Sequence, residues 1–473
     1  MSGKYSFFSK NILLFTISGV IPKVLAFIII PIYTSYLSTE DYGIADLIHT
    51  TVDLLMPIFA LRIHDAVLRF AMDKQKNPKE VFSCGLLITW IGILIVGIAT
   101  TIIAQFNFVE KQYLIIFFLT FFVLANNHVV VRFCRAINKV GVITVAGIAN
   151  SVVMFTANLL FLMVFKFGIY GYLYASILGS ATCLLICIFG GKVYKYLTFS
   201  HNKALFKLLI TYSFPLIFSA LAWWVNNASD RYILAWLCGV SIGGIYAVAY
   251  KIPSLLAAVQ DIFMQAWSIS AIKEFDKEDT DGFVGNVYTI LQCVMAMAAS
   301  LLMCLNLPIA KIIYAKDFFI AWKYVPPLLF ALYFNALSLF LDGLFMAANG
   351  TKYIAVFSGV GAIVNTILNF ALIYLFGAYG AALATFIGFG CGFLLKAKYI
   401  KKYISIKYDK VKFGWVALIL LLQMIISFLG WMGIILHILA FVSILCLYKQ
   451  QIKQAYHWIK NRKKTPAKIS NEE

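Results

Sequence analysis

The segment Phe167-Gly168-Ile169-Tyr170-Gly171-Tyr172-Leu173-Tyr174-Ala175-Ser176-Ile177-Leu178-Gly179 returns 209 residues later as Phe376-Gly377-Ala378-Tyr379-Gly380-Ala381-Ala382-Leu383-Ala384-Thr385-Phe386-Ile387-Gly388, with six identities in thirteen and no gap. Each copy opens an apolar run, and a membrane-spanning helix needs about 20 apolar residues. A fainter echo joins Gly43-Ile44 to Gly244-Ile245. Counted along the chain, the strong pair opens the sixth and twelfth apolar runs, and the faint pair opens the second and eighth. The chain therefore reads as two copies of a six-helix unit. Six is even, so both copies enter the membrane from the same side. Such parallel repeats are related by an axis along the membrane normal, with a pathway between the lobes.

Apolar runs fall at roughly 11–37, 44–70, 81–104, 112–136, 142–166, 169–190, 207–236, 240–270, 285–306, 325–348, 353–376, 378–396, 413–430 and 431–448. They predict an all-α membrane protein of about fourteen transmembrane helices: two pseudo-symmetric six-helix lobes and a C-terminal pair. The lobes span residues 1–200 and 201–404; residues 405–473 carry the last pair and a basic tail. Gly430-Trp431 nearly fuses the last two runs, which fits a hairpin or one bent element. Composition agrees. The 473 residues are 62% hydrophobic and 12% charged, with a mean hydropathy of +0.88. Soluble domains carry about 25% charged residues, so this surface must largely face lipid.

The net charge of +19 invites a nucleic-acid reading, but its distribution excludes one. With the N-terminus inside, thirty of the 39 Lys and Arg fall in inside segments, five outside, and four within helices: Lys23, Arg62, Arg231 and Lys251. That bias places both termini in the cytoplasm by the positive-inside rule, as for an inner-membrane protein. The first run, Asn11–Leu37, is too long for a cleaved signal segment and is read as a retained helix. All nine Cys lie in apolar runs. Their spacing suits packing rather than zinc ligation, so neither a metal nor a cofactor is expected.

Ionisable groups inside spanning helices cost about 2.5–3.5 kcal/mol on insertion scales and mark cavities or pairs. Lys23 sits midway along the first helix and Lys251 midway along the eighth. Asp46, His49 and Asp53 share one face of the second, a face suited to proton or cation coupling, and Pro57 follows as a possible bend. Arg62, Asp65 and Arg69 continue at the same spacing and read as structural pairs. Asp230-Arg231 lies near the outer end of helix seven. Asp342 adjoins Gly343, where a broken helix would offer it backbone groups. The second echo sets Thr50 level with Lys251, so the acidic and His groups of one lobe would face a Lys of the other.

The run Pro31-Ile32-Tyr33-Thr34-Ser35-Tyr36-Leu37-Ser38-Thr39-Glu40-Asp41-Tyr42-Gly43 resembles polysaccharide-biosynthesis flippases of the Wzx (O-antigen flippase) type. Asp230-Arg231, Gly244-Ile245-Tyr246 and Phe376-Gly377-Ala378-Tyr379-Gly380-Ala381-Ala382 extend the likeness over the whole chain. That family lies within the multidrug/oligosaccharidyl-lipid/polysaccharide exporter superfamily. The resemblance implies a non-enzymatic flippase with two lobes and alternating access. Its substrate would be an undecaprenyl-diphosphate-linked oligosaccharide for O-antigen, capsular or exopolysaccharide assembly. Membrane lipid, a polysaccharide polymerase and a chain-length regulator would be its partners. Lys23, Arg231 and Lys251 would offer cations to the diphosphate. Two rivals exist. A drug or cation antiporter of the same superfamily would want an acidic cavity without these cations. A polymerase or ligase would want a large outside loop, and no such loop is present.

Overall fold

The computed structural model describes residues 24–198, 202–273, 276, 278–348 and 350–454, and these are helical throughout, with no strand among them. The first half comprises α1 (Val24–Tyr36), α2 (Thr39–Phe59), α3 (Ile63–Ala71), α4 (Pro78–Gln105), α5 (Lys111–Ala136), α6 (Val140–Asn158) and α7 (Gly168–Gly190). The second comprises α8 (Lys203–Cys238), α9 (Val240–Ala249), α10 (Pro253–Lys273), α11 (Phe283–Cys304), α12 (Asn306–Ile313), α13 (Val325–Ala347), α14 (Thr351–Phe376) and α15 (Ala378–Tyr399). Two further helices follow, α16 (Lys410–Ile426) and α17 (Ile434–Leu447).

Among the described residues ten helices are long and apolar enough to cross a membrane, or twelve when two bent pairs are each taken as one span. The expected fourteen counts two elements differently: the first run, and the last two runs taken separately. The first run is described only from residue 24, as the short helix α1. The last two runs form one continuous apolar stretch, Lys410–Leu447, interrupted where Gly430 takes φ 58 and ψ −131. There α16 and α17 fold onto one another, and Gln423 Nε2 donates to the His437 carbonyl at 3.3 Å. The structure thus takes the hairpin option.

The bent pairs are the second and eighth predicted helices. The second breaks by 56° between α2 and α3. Pro57 deprives α2 of one backbone donor near its end. Leu61 and Arg62 then adopt left-handed φ values of 51 and 52. The eighth breaks by 48° between α9 and α10, where Pro253 opens α10 and disfavours helical backbone at the residue before it. Lys251 therefore sits in a turn, its N–H bonded to the Val248 carbonyl at 2.9 Å, and not midway along a continuous helix.

The sequence repeat has a backbone cause. Gly168 and Gly377, matched residues, take φ +56 and +57, a region that costs glycine nothing. Each turns the chain into the second arm of a close helical hairpin, α6 on α7 and α14 on α15.

Asp342 lies on an unbroken α13, which corrects the reading of a break at Gly343. The absence of a side chain at Gly343 instead admits the Trp267 ring, whose Nε1 would lie 2.7 Å from a Cβ there. Asp342 pairs with Lys396 at 2.7 Å, and Lys396 also donates to Ser338 Oγ at 2.9 Å. Lys396 is only 2% exposed. One of the lysines counted as an orientation signal is thus an internal ion-pair partner, and the bias survives its removal. Lys396→Met is expected to destabilise by about 3–5 kcal/mol, because it strands a buried carboxylate. Lys396→Met with Asp342→Leu is expected to recover most of that loss. Thermal unfolding in detergent checks both, and equal melting of the single variant and wild type would contradict the assignment.

Candidate functional site

Ser38 accepts from the Asp41 N–H at 3.0 Å while the Ser38 N–H reaches Asp41 Oδ2 at 3.2 Å, a reciprocal capping box that starts α2. Next, Tyr42 and Gly43 carry α2 onto α9. A Cβ on Gly43 would lie 2.3 Å from the Val240 carbonyl oxygen, and one on Gly244 would lie 2.0 Å from that of Thr39. The two echo glycines therefore mark the crossing of the two halves, where backbones touch. Thr39 and Ser241 hydroxyls bond across it at 2.5 Å. Thr34, at the end of α1, donates to the Ile313 carbonyl at 3.0 Å and accepts from the Ala315 N–H at 3.3 Å. Tyr33 and Tyr42 stack at 4.9 Å and both meet Tyr172 at 5.7 Å. This end of the assembly is closed. The continuations α3 and α10 share no comparable packing among the described residues.

One helical turn beyond the crossing, Asp46 binds Arg231 Nη1 at 2.8 Å, joining α2 to α8. Both side chains are largely sheltered, 15% and 23% exposed. Arg231 also reaches Thr50 Oγ1 at 3.4 Å and lies 5.6 Å from the Tyr250 ring centre. Trp224 Nε1 donates to the Thr50 carbonyl at 3.0 Å, and Tyr232 bonds Thr51. The adjacent Asp230 does not pair with the Arg231 side chain. It is buried and accepts from Tyr246 and Tyr250 hydroxyls at 2.9 and 3.3 Å. A carboxylate and a guanidinium next to one another in sequence thus point to different partners. Among the described residues, the carboxylate at ion-pair distance from Arg231 is that of Asp46, across the boundary between the halves.

Lys251 is half-buried, its Nζ 6.0 Å from the Tyr42 ring centre. His49 is half-buried within electrostatic reach of Asp46 and Lys251. Asp53 is exposed and lies within reach of Arg231 and Asp46. Five of the six expected site residues, Arg231, Lys251, Asp46, His49 and Asp53, therefore gather on α2, α8 and the α9–α10 turn. The sixth, Lys23, lies outside the described residues. The partnership differs from expectation in one respect: the nearest cation to Asp46 is Arg231, not Lys251.

Other members were not singled out from sequence. Tyr246 and Tyr250 stand four apart on the α9 face that meets Asp230, a spacing that puts both on one side of a helix. Asn365, Asn369 and Thr385 form a buried polar ladder between α14 and α15, with Asn369 Nδ2 on Asn365 Oδ1 at 3.1 Å and Asn365 Nδ2 on Thr385 Oγ1 at 3.4 Å. The i, i+4 asparagines in an apolar run were the available signal. Among the described residues no group of three or more His, Cys, Asp or Glu could hold a metal ion.

The fold matches a lipid II flippase, MurJ, in an inward closed conformation, with TM-score 0.71 at 14% identity over 93% of this chain and 100% of that one. It also matches an inward-facing multidrug resistance MATE family transporter of the MOP superfamily, with TM-score 0.65 at 14% identity over 82% and 98%. Among curated proteins, a probable low-salt glycan biosynthesis flippase, Agl15 of Haloferax volcanii, is 24% identical over 212 residues. That stretch is 44% of each protein, so the match spans less than half of the relative's length. The sequence profile described as "Polysaccharide biosynthesis protein" matches residues 8–268. With more than half of its length inside that profile, the chain belongs to the polysaccharide biosynthesis protein family.

Proposed function

We propose that the protein, a multi-pass membrane transporter of the flippase kind, moves an undecaprenyl-diphosphate-linked oligosaccharide from the cytoplasmic to the outer leaflet of a bacterial inner membrane. Both termini are cytoplasmic in this reading, and residues 1–200 and 201–404 act as the two moving lobes. The observation that carries it is the Arg231–Asp46 bond beneath the closed glycine crossing. A guanidinium held by one carboxylate can exchange it for a diphosphate, which offers more oxygens in the same forked geometry. Lys251 and Lys23 add positive charge. The polyprenyl chain stays in lipid, because only the head group needs a polar path.

Exchange would free Asp46 from the α8 side and loosen the contact that joins the halves. That couples binding to opening, since a ligand shifts a conformational equilibrium only by its differential affinity for the two states. Asp46, His49 and Asp53 are the groups that could then take a proton or cation. No bond is made or broken in the substrate, so the protein is not an enzyme in this account. A polymerase and a chain-length regulator would receive the product. A drug or cation antiporter would want an acidic cavity without fixed cations, and here Arg231 is bound to Asp46.

Lys251→Ala is expected to lower surface glycan about tenfold at normal protein level, as for the loss of one charge-assisted contact of roughly 1.5 kcal/mol. Glycan staining against an immunoblot checks this. Wild-type glycan in the variant would remove Lys251 from the transport path.

A further inference from the structure

Some 16 residues along the second span from Asp46, beyond the break, lies a second cationic cluster. At 1.5 Å per residue that is about 24 Å of helix, less the bend. Here two guanidinium groups share one carboxylate. Arg62 bonds Asp65 directly, while Arg132 on α5 stands 3.7 Å from the other Asp65 oxygen. His64 Nε2 is 3.6 Å from Asp65, and the His64 and His128 rings are 5.1 Å apart. Arg62 and Arg132 are each 35% exposed, and Asp65 is 19% exposed.

Two features set this cluster apart from a structural ion pair. Cations outnumber carboxylates, and the Arg132 guanidinium makes no hydrogen bond among the described residues. In addition, Arg62 is held at a left-handed φ of 52, directly after Leu61 at 51. Left-handed backbone costs a non-glycine residue about 1–2 kcal/mol, and such strain persists only where the surroundings impose it, commonly at functional sites. Here it turns Arg62 out of the helical run and toward Asp65. Arg132 lies four residues from the end of α5 at Ala136, at the end that the charge bias reads as cytoplasmic.

We infer that Arg62 and Arg132 form a phosphate-capturing pair at the cytoplasmic mouth. There the diphosphate of the incoming lipid displaces Asp65 before it reaches Arg231 and Lys251. The inference rests on the flippase reading above. Asp65 acts as an internal competitor that keeps the two arginines in place while the mouth is empty.

The test uses purified full-length protein in nanodiscs and undecaprenyl diphosphate as the probe, with binding followed by tryptophan fluorescence. Arg132→Gln is expected to weaken binding about tenfold, and Arg132→Lys less, since lysine keeps the charge but loses the fork. Asp65→Asn is expected to tighten binding severalfold by removing the competitor, an outcome that a purely structural carboxylate would not produce. Thermal unfolding identifies any variant that fails to fold. If Arg132→Gln and Asp65→Asn both bind like wild type while Lys251→Gln binds weakly, the mouth site is overturned and the flippase reading stands. If folded wild-type protein does not bind the diphosphate at all, the flippase reading itself fails and takes the mouth site with it.

Discussion

A strain whose sole copy carries Arg231→Ala is expected to lose surface glycan about a hundredfold, the scale of truncating one partner of a sheltered, hydrogen-bonded charge pair at roughly 2–5 kcal/mol. The loss has two sources. The diphosphate loses its forked donor, and Asp46 is stranded among Tyr42, His49 and Thr50 without its guanidinium. The double variant Arg231→Ala with Asp46→Ala separates them. Removing the stranded carboxylate should restore protein level and melting temperature but not glycan, because the donor is still missing. Arg231→Lys should sit between, keeping charge without the fork. If the double variant restores glycan output, Arg231 is only a structural clasp and its place in the transport path is wrong.

The second large effect is steric. A side chain at Gly244 cannot be accommodated at the crossing, because its first carbon would sit 2.0 Å from the Thr39 carbonyl oxygen and 2.8 Å from the Gly43 nitrogen. These are backbone atoms and cannot rotate away. Gly244→Val is therefore expected to wedge α2 from α9 and hold the closed end apart. The crossing adjoins the buried cluster that holds Tyr42 and Ile245–Ala249, so thermal unfolding must first show that the variant folds. Transport should fall to background, since alternating access needs this end to close. Cysteines introduced at Thr39 and Ser241, whose hydroxyls are 2.5 Å apart, report on closure. They should form a disulfide readily in the otherwise wild-type protein and poorly with Gly244→Val. Efficient cross-linking and normal glycan in the Gly244→Val background would contradict the gate.

These two sites also show what sequence can and cannot carry. The glycines were visible because they answer to backbone constraints that repeat with the fold. Gly168 and Gly377 share a positive φ, and Gly43 and Gly244 meet at the crossing that their echo marks. The intramembrane charges were equally visible, because polar groups stand out in apolar runs. Their partners were not. Asp46 and Arg231 are 185 residues apart, and no local periodicity says which cation of the second half meets which acid of the first. Asp342 and Lys396 failed the same way: one was assigned to a broken helix and the other to a surface signal. The breaks were half legible. Pro57 and Pro253 mark both bent spans, yet the left-handed Leu61 and Arg62 carry no residue signature at all.

The most direct measurement is transfer by purified protein in liposomes. Undecaprenyl-diphosphate oligosaccharide would be placed in one leaflet and its sugar read from the other with a membrane-impermeant lectin. The account predicts transfer by the wild-type protein, a low rate with Lys251→Ala, and the protein-free rate with Arg231→Ala. A wild-type rate equal to that of protein-free liposomes, in vesicles whose protein is shown to be folded, would contradict it.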